Sequence, residues 1–181
     1  MGQGAQLMKI LIINSIKWGV NEVYYDDDDE GVVSAHKWYI CNIKKNGTRY
    51  VSTHVYRDGK RTGAFLHRML LGLTDRKIFV DHINHNGLDN RRENLRICSN
   101  FQNQGNSRPQ KKEGKTSKYK GVWFYKKGHH KKPWVAGIQI SGKMIHLGSF
   151  ALENDAALAY NKAAQIYFGD FAKVNNITEG H

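Results

Sequence analysis

The chain has 181 residues, 40% of them apolar, and a formal net charge of +12. That length holds one ordinary domain or two or three small ones, and no apolar run approaches the ~20 residues of a spanning helix, so a membrane is not an expected partner. The two cysteines, Cys41 and Cys98, stand far apart without a CxxC partner, which argues against a disulfide framework or a thiolate zinc knuckle and for a reducing, cytoplasmic setting.

In chain order, residues 9–13, 20–25, 37–44 and 50–56 read as strands, with hairpin signals at Asn46-Gly47 and Asp58-Gly59. Residues 26–30 form an acidic run. Residues 65–71 read as a short helix. Phe65, Leu66, Met69 and Leu70 fall on one side, and Gly72 is the stop. Short strands are expected at 78–80 and 95–98, after which Ser99 can cap a helix reaching Asn103. Residues 106–118 have the composition of a basic linker. Strands follow at 119–125, 134–140 and 144–150, with a tight turn at Ser141-Gly142. Residues 152–168 form an amphipathic helix with Leu152, Ala156, Ala159, Tyr160, Ala163, Ile166 and Tyr167 on one face, ended by Gly169. The expected class is α+β. A β-rich region (1–79) leads to a small unit (80–105), the linker, and a three-stranded antiparallel sheet with one helix across it (119–176).

Charge is unevenly placed. Residues 106–146 hold eleven Lys/Arg against Glu113 alone, a local charge of +10. Such a segment attracts polyanions, because neutralising phosphates releases their counterions. Its interleaved aromatics point to nucleic acid.

The stretch VDHINHNGLDNRRENLR, residues 80–96, carries the chemistry. Zinc wants Cys or His at defined spacing, usually four ligands. Here only His82 and His85 lie close, amid amide and carboxylate oxygens that suit magnesium, calcium or manganese. Phosphodiester hydrolysis needs a base for water and positive charge at the developing oxyanions. Histidine is the base suited to neutral pH. Asp81 is adjacent to His82, and neighbours on a strand point to opposite faces. One site can use both only at a strand end or turn.

The order Asp81-His82, Asn94 in ENLR and Asn103 in FQNQ, with 12 residues from His82 to Asn94 and 9 from Asn94 to Asn103, resembles the HNH (ββα-metal) endonucleases of phages and mobile introns. The resemblance implies His82 as general base, Asn94 as its orienting brace, and Asp81 and Asn103 as ligands of a divalent cation, magnesium first and manganese second. It also covers Leu66-His67-Arg68 and LDNRRENLR. There His67, Arg68 and Asn90 are expected as support, and Arg91 and Arg92 as phosphate contacts or loop braces. His85 is expected to be a bystander.

Tyr119-Lys120-Gly121-Val122, Trp134-Val135-Ala136, His146-Leu147-Gly148-Ser149-Phe150 and Ala156-Ala157-Leu158-Ala159-Tyr160 resemble the plant ethylene-response (APETALA-type) DNA-binding domain. In that family the sheet enters the major groove. By position Lys120, Trp123, Tyr125, Lys127, Gln139 and His146 are the implied DNA contacts. Gly121, Trp123 and Tyr125 are expected on the outer face, Val122 and Phe124 toward the helix. Together the resemblances imply a homing-type endonuclease acting on double-stranded DNA in a bacterial host. As a monomer it would nick, and as a homodimer it would cut both strands. The rival reading is a DNA-binding regulator whose nuclease fold is silent.

Overall fold

Alternation along the first apolar run builds the first hairpin. The computed structural model describes residues 7–42, 48–107, 116–126 and 131–177; Asn46-Gly47 and Lys127 lie outside the described residues. In it β1 (Met8–Ser15) pairs antiparallel with β2 (Gly19–Asp26). Leu11 and Ile13 turn inward while Met8, Ile10 and Ile12 face solvent, as the two-residue period of a strand requires. The acidic run then tightens into a 3-10 turn (Asp27–Asp29) and α1 (Glu30–Ser34), a helix that strand-based reading did not anticipate.

β3 (Tyr39–Asn42), β4 (Arg49–Arg57) and β5 (Lys60–Phe65) form an antiparallel sheet in that order. Asp58 and Gly59, with φ of 50° and 70°, supply the left-handed pair of the β4–β5 turn. The chain enters α2 (Leu66–Leu70) directly from β5, and Gly72 follows at φ 65°. β6 (Phe79–His82) and β7 (Leu95–Cys98) make a second small antiparallel ladder. One core serves all of this. Ile13, Val23, Tyr25, Val33, Trp38, Ile40, Val51, Leu66 and Leu70 pack together with Leu88, which comes from the loop between β6 and β7.

Two compact units divide the chain, Met1–Cys98 and Ser99–His181, so the boundary falls inside the expected 80–105 unit. The second begins with α3 (Asn100–Gly105). Ser99 caps it, accepting from the Gln102 N–H while the Gln102 side chain accepts from Ser99 N. β8 (Val122–Phe124), β9 (Trp134–Ile140) and β10 (Lys143–Phe150) form an antiparallel sheet with β9 central, and α4 (Glu153–Phe168) lies across it. Gly169, with φ 52°, ends α4.

This unit differs from expectation in its first strand, which is only Val122–Phe124 rather than 119–125, and in its helix face and the turn before β8. The buried stripe of α4 is Ala156, Ala157, Tyr160, Ala163, Ala164 and Phe168, while Leu152, Ile166 and Tyr167 are exposed. Alanines let the helix approach the sheet closely, so packing follows small size and leaves several larger apolar side chains outside. Gly121 lies in a turn ahead of β8, on the α4 side. Its φ is 72°, and a Cβ there would stand 2.0 Å from the Tyr160 ring. Only glycine fits that contact.

Candidate functional site

The ladder register brings the site together. Asp81 lies directly opposite Arg96, and His82 opposite Leu95. Facing positions of opposite charge pair well across a ladder. Accordingly Arg96 donates from Nε and Nη2 to Asp81 Oδ2, at 3.0 and 2.8 Å. Asp81 is buried. His82 ends β6, and the chain turns at once: Ile83 N donates to Asn94 O and His85 N to His82 O, both at 2.9 Å. His85 itself takes a left-handed φ of 62° in that turn.

The His82 ring is buried among aromatics. Its centroid is 5.0 Å from His67, edge to face, and 5.8 Å from Tyr50. His67 in turn stacks on Phe65 at 5.5 Å. Burial pushes the His82 pKa down, partly opposed by the Asn90 amide and by the charges of Asp81 and Asp89. The imidazole is therefore held toward its neutral form. Burial, reinforced by His82 and Arg68, pushes His67 down to about 3. Asn90 is fully buried. Its amide closes no full hydrogen bond, yet lies near enough to His82 to favour the protonated ring.

The loop from 83 to 94 is stapled internally. Asn94 Oδ1 accepts from Asn84 N at 3.0 Å and Asn94 Nδ2 donates to Asp89 O at 2.7 Å, so one amide spans the loop. Asn84 and Asn86 each accept from the N–H two residues on, the Asx turn favoured by that side chain. Asp89 takes Nε and Nη2 of Arg91 at 2.9 and 2.8 Å. Burial works against its ionisation, but Arg91 and Asn84 outweigh it and hold the Asp89 carboxyl below its usual range. β2 supplies the outer brace: Tyr24 N donates to Leu88 O, and Asn90 N to Tyr24 O at 2.7 Å. β4 closes the other side, since a Cβ on Gly87 would meet Arg49 O at 2.3 Å.

The acidic run belongs to this brace. Asp26 accepts from Arg92 N at 2.7 Å, and the buried Asp29 pairs with the Arg92 guanidinium at 2.6 Å. Arg91 and Arg92, expected at phosphate or as braces, spend their charge on Asp89, Glu93 and Asp29. Arg68 donates to the carbonyls of Ile78 and Asp75, tying α2 to the start of β6. Sequence reasoning missed Arg96, Tyr50 and Asp89. The first was accessible from the ladder register, since 81 and 96 face each other once 79 is paired with 98.

The donor set can be tested against a cation. Asp81 offers a carboxylate oxygen, a hard donor of the kind magnesium accepts alongside its own waters. Cys98, opposite Phe79 in the same ladder, is poorly disposed as a thiolate, because burial and then the Asp81 charge push its thiol up to about 11. Among the described residues no three His, Cys, Asp or Glu side chains gather into one cluster. These residues fit an oxygen-ligated ion held by few protein groups better than a structural zinc.

Asn103 stands half-buried on α3, in the second unit. The outer sheet face of that unit follows from register. Trp123 pairs with Val135, Gly137 with His146, and Gln139 with Met144, which sets these side chains on one face. Trp123 covers Gly137, where a Cβ would stand 2.8 Å from its ring. Gln139, His146 and Tyr125 are exposed. Val122 is buried as expected, whereas Phe124 is exposed at the sheet end, edge-on to Trp134 at 5.0 Å. Lys120 is turned elsewhere: its Nζ donates to Gly105 O at 2.7 Å and Gln104 O at 3.3 Å.

Residues 68–104 match the family model described as HNH endonuclease. A protein of Acanthamoeba polyphaga mimivirus, named as an uncharacterized HNH endonuclease, is 32% identical over 148 residues, which cover 81% of this chain and 70% of that one. No solved structure gives a significant match. With a buried His82 at a strand end, Asp81 beside it and the Asn94-stapled loop between the two strands, the chain belongs to the HNH endonuclease family, hydrolases that cut phosphodiester bonds.

Proposed function

We propose that the chain is a metal-dependent, homing-type DNA endonuclease whose C-terminal sheet, of the APETALA type, seats it on duplex DNA. The observation that carries this reading is His82: an imidazole buried in an aromatic pocket at the end of β6, with Asp81 adjacent. A general base for water has to be unprotonated and fixed. Burial supports the first condition, and Tyr50, His67 and the stapled loop support the second. A magnesium-class cation on Asp81 and Asn103 would supply positive charge at the phosphate and the leaving 3′ oxygen. His82 accepts the proton of the attacking water, and the products carry 5′-phosphate and 3′-hydroxyl ends. Asn94 keeps the turn after His82 closed, which fixes the ring relative to the strand that bears Asp81.

On the sheet, Trp123, Tyr125, Gln139 and His146 form the face that meets DNA; Lys127 joins them on its family position alone. The single motif gives one cut per chain, so a monomer nicks and double-strand cleavage takes two chains or two visits. The test is a supercoiled plasmid carrying candidate sites, incubated with magnesium. Nicking should appear, and His82→Ala should slow it by about 10²–10⁴-fold, the usual share of a general base. Tight binding without nicking under magnesium or manganese would establish the rival reading, a silent DNA-binding regulator.

A further inference from the structure

We propose that Lys120 is a positioning residue of the nuclease, acting through α3 on Asn103. This rests on the reading of Asn103 as a metal-binding residue. α3 has six residues, far too few to hold a helix by backbone bonds alone. Its N-terminus is fixed by the Ser99–Gln102 capping box. Its C-terminus leaves carbonyls without intrahelical partners; there Lys120 Nζ donates to Gly105 O at 2.7 Å and, more distantly, to Gln104 O, which also accepts from Ser107 N and Oγ. The Lys173 N–H adds a second donor to Gly105 O at 3.1 Å.

Lys120 is itself clamped. Its N–H donates to Asn175 Oδ1 at 2.7 Å and its carbonyl accepts from Asn175 Nδ2 at 3.0 Å. Asn175 is in turn held by Asn161 of α4, through Asn175 N to Asn161 Oδ1 at 2.6 Å and Asn161 Nδ2 to Asn175 O at 2.9 Å. Packing fastens the same helix. Phe101 meets the Phe168 ring at 5.0 Å, and Gly105 lies so close to it that a Cβ would stand 2.6 Å away. Asn103 sits midway between these two fixed points. The ammonium occupies a largely desolvated place near Lys173, and both lower its pKa to about 8. A group so placed reaches phosphate only by abandoning the helix carbonyls.

The experiment uses the full chain as wild type, Lys120→Met, Lys120→Arg, Phe101→Leu and Asn103→Ala. Manganese binding is read without DNA from the paramagnetic signal of the free ion. Magnesium dependence of nicking and the salt slope of DNA binding are read separately. Lys120→Met should weaken manganese binding about tenfold and raise the magnesium needed for half-maximal nicking to match. The rate at saturating magnesium and the salt slope should stay near wild type. Lys120→Arg should recover most of the loss, since a guanidinium can serve both carbonyls. Phe101→Leu loosens the other fixed point and should give a milder version of the same signature, which keeps the test open if Lys120→Met does not fold. The proposal is overturned if Lys120→Met binds manganese like wild type, or if it loses about one unit of salt slope, the mark of a phosphate contact. Asn103→Ala separates the two readings. If it binds manganese as wild type does, the metal reading has failed. If it loses binding while Lys120→Met and Phe101→Leu do not, only the positioning role has failed.

Discussion

At the scale of single residues, the site is built from groups that water would treat very differently. His67 is buried against Phe65 and His82, and its Nδ1 finds no hydrogen-bond partner. With a folded pKa of about 3 against an unfolded value near 6.5, folding excludes a proton that the unfolded chain binds. The stability this neutral ring provides is whole above pH ~6.5 and is lost as pH falls toward 3. Its share between pH 7 and pH 5 is about 2 kcal/mol by that linkage. Urea unfolding of His67→Phe at the two pH values should show a slope flatter by about that amount; an unchanged slope would refute it. Arg96 makes a different prediction. Removing one partner of a buried pair costs about 3 kcal/mol, so Arg96→Met should be destabilised by that much in a chelating buffer. A cation on Asp81 replaces the missing charge, so magnesium should stabilise Arg96→Met more than wild type. Equal magnesium effects on the two unfolding curves would show that the cation does not reach Asp81.

At the scale of elements, the β6–β7 loop owes its shape to neighbours on every side: β2 through Tyr24, β4 at Gly87, and the acidic run through Arg92. Loss of the Arg92 guanidinium strands a buried Asp29. Arg92→Ala should therefore cost about 2 kcal/mol in thermal or denaturant unfolding. The salt slope of DNA binding should not move; a drop of one unit would return Arg92 to phosphate. Much of this level was legible in the sequence. Strands 95–98 and 134–140, the Ser99 cap and the Gly169 stop follow from local chemistry, and they stand where local chemistry puts them. β5 and α1 were hidden, because Lys60–Phe65 pairs with β4 without an apolar alternation of its own and α1 opens on acids. The α4 face was misjudged because size, rather than hydrophobicity, decides which residues a close-packed sheet accepts. The His82 pocket was only half legible: spacing marked His82, Asp81 and Asn94, while Tyr50 reaches the ring, and Phe65 its neighbour His67, through tertiary packing that spacing does not encode.

At the scale of the whole molecule, the basic excess is concentrated in residues 106–146, while Asp26 and Asp29 of the acidic run are engaged by Arg92 of the nuclease loop. Binding to DNA should therefore weaken steeply with salt, mainly through the C-terminal half. Modular composition suggests that deleting residues 106–181 leaves weak non-specific nicking behind. The placement of α3 argues for a stricter outcome, because that helix rests on Phe168, Lys120 and Lys173. The truncated chain should fold through its first core and lose magnesium-dependent nicking as well as site-specific binding. Residual nicking near the wild-type rate on plasmid DNA would mean that α3 stands without its platform.

The division between Cys98 and Ser99 also sets where such a protein can be recombined. A breakpoint in the Gly-, Ser- and Lys-rich linker looks natural, yet it would hand a foreign platform to a helix fitted to its own Phe168 and Lys120. A breakpoint just ahead of the Ser99 cap carries the helix, its capping box and its seat together. The second unit is then exchanged as one inheritable block that brings Asn103 and the helix bearing it along.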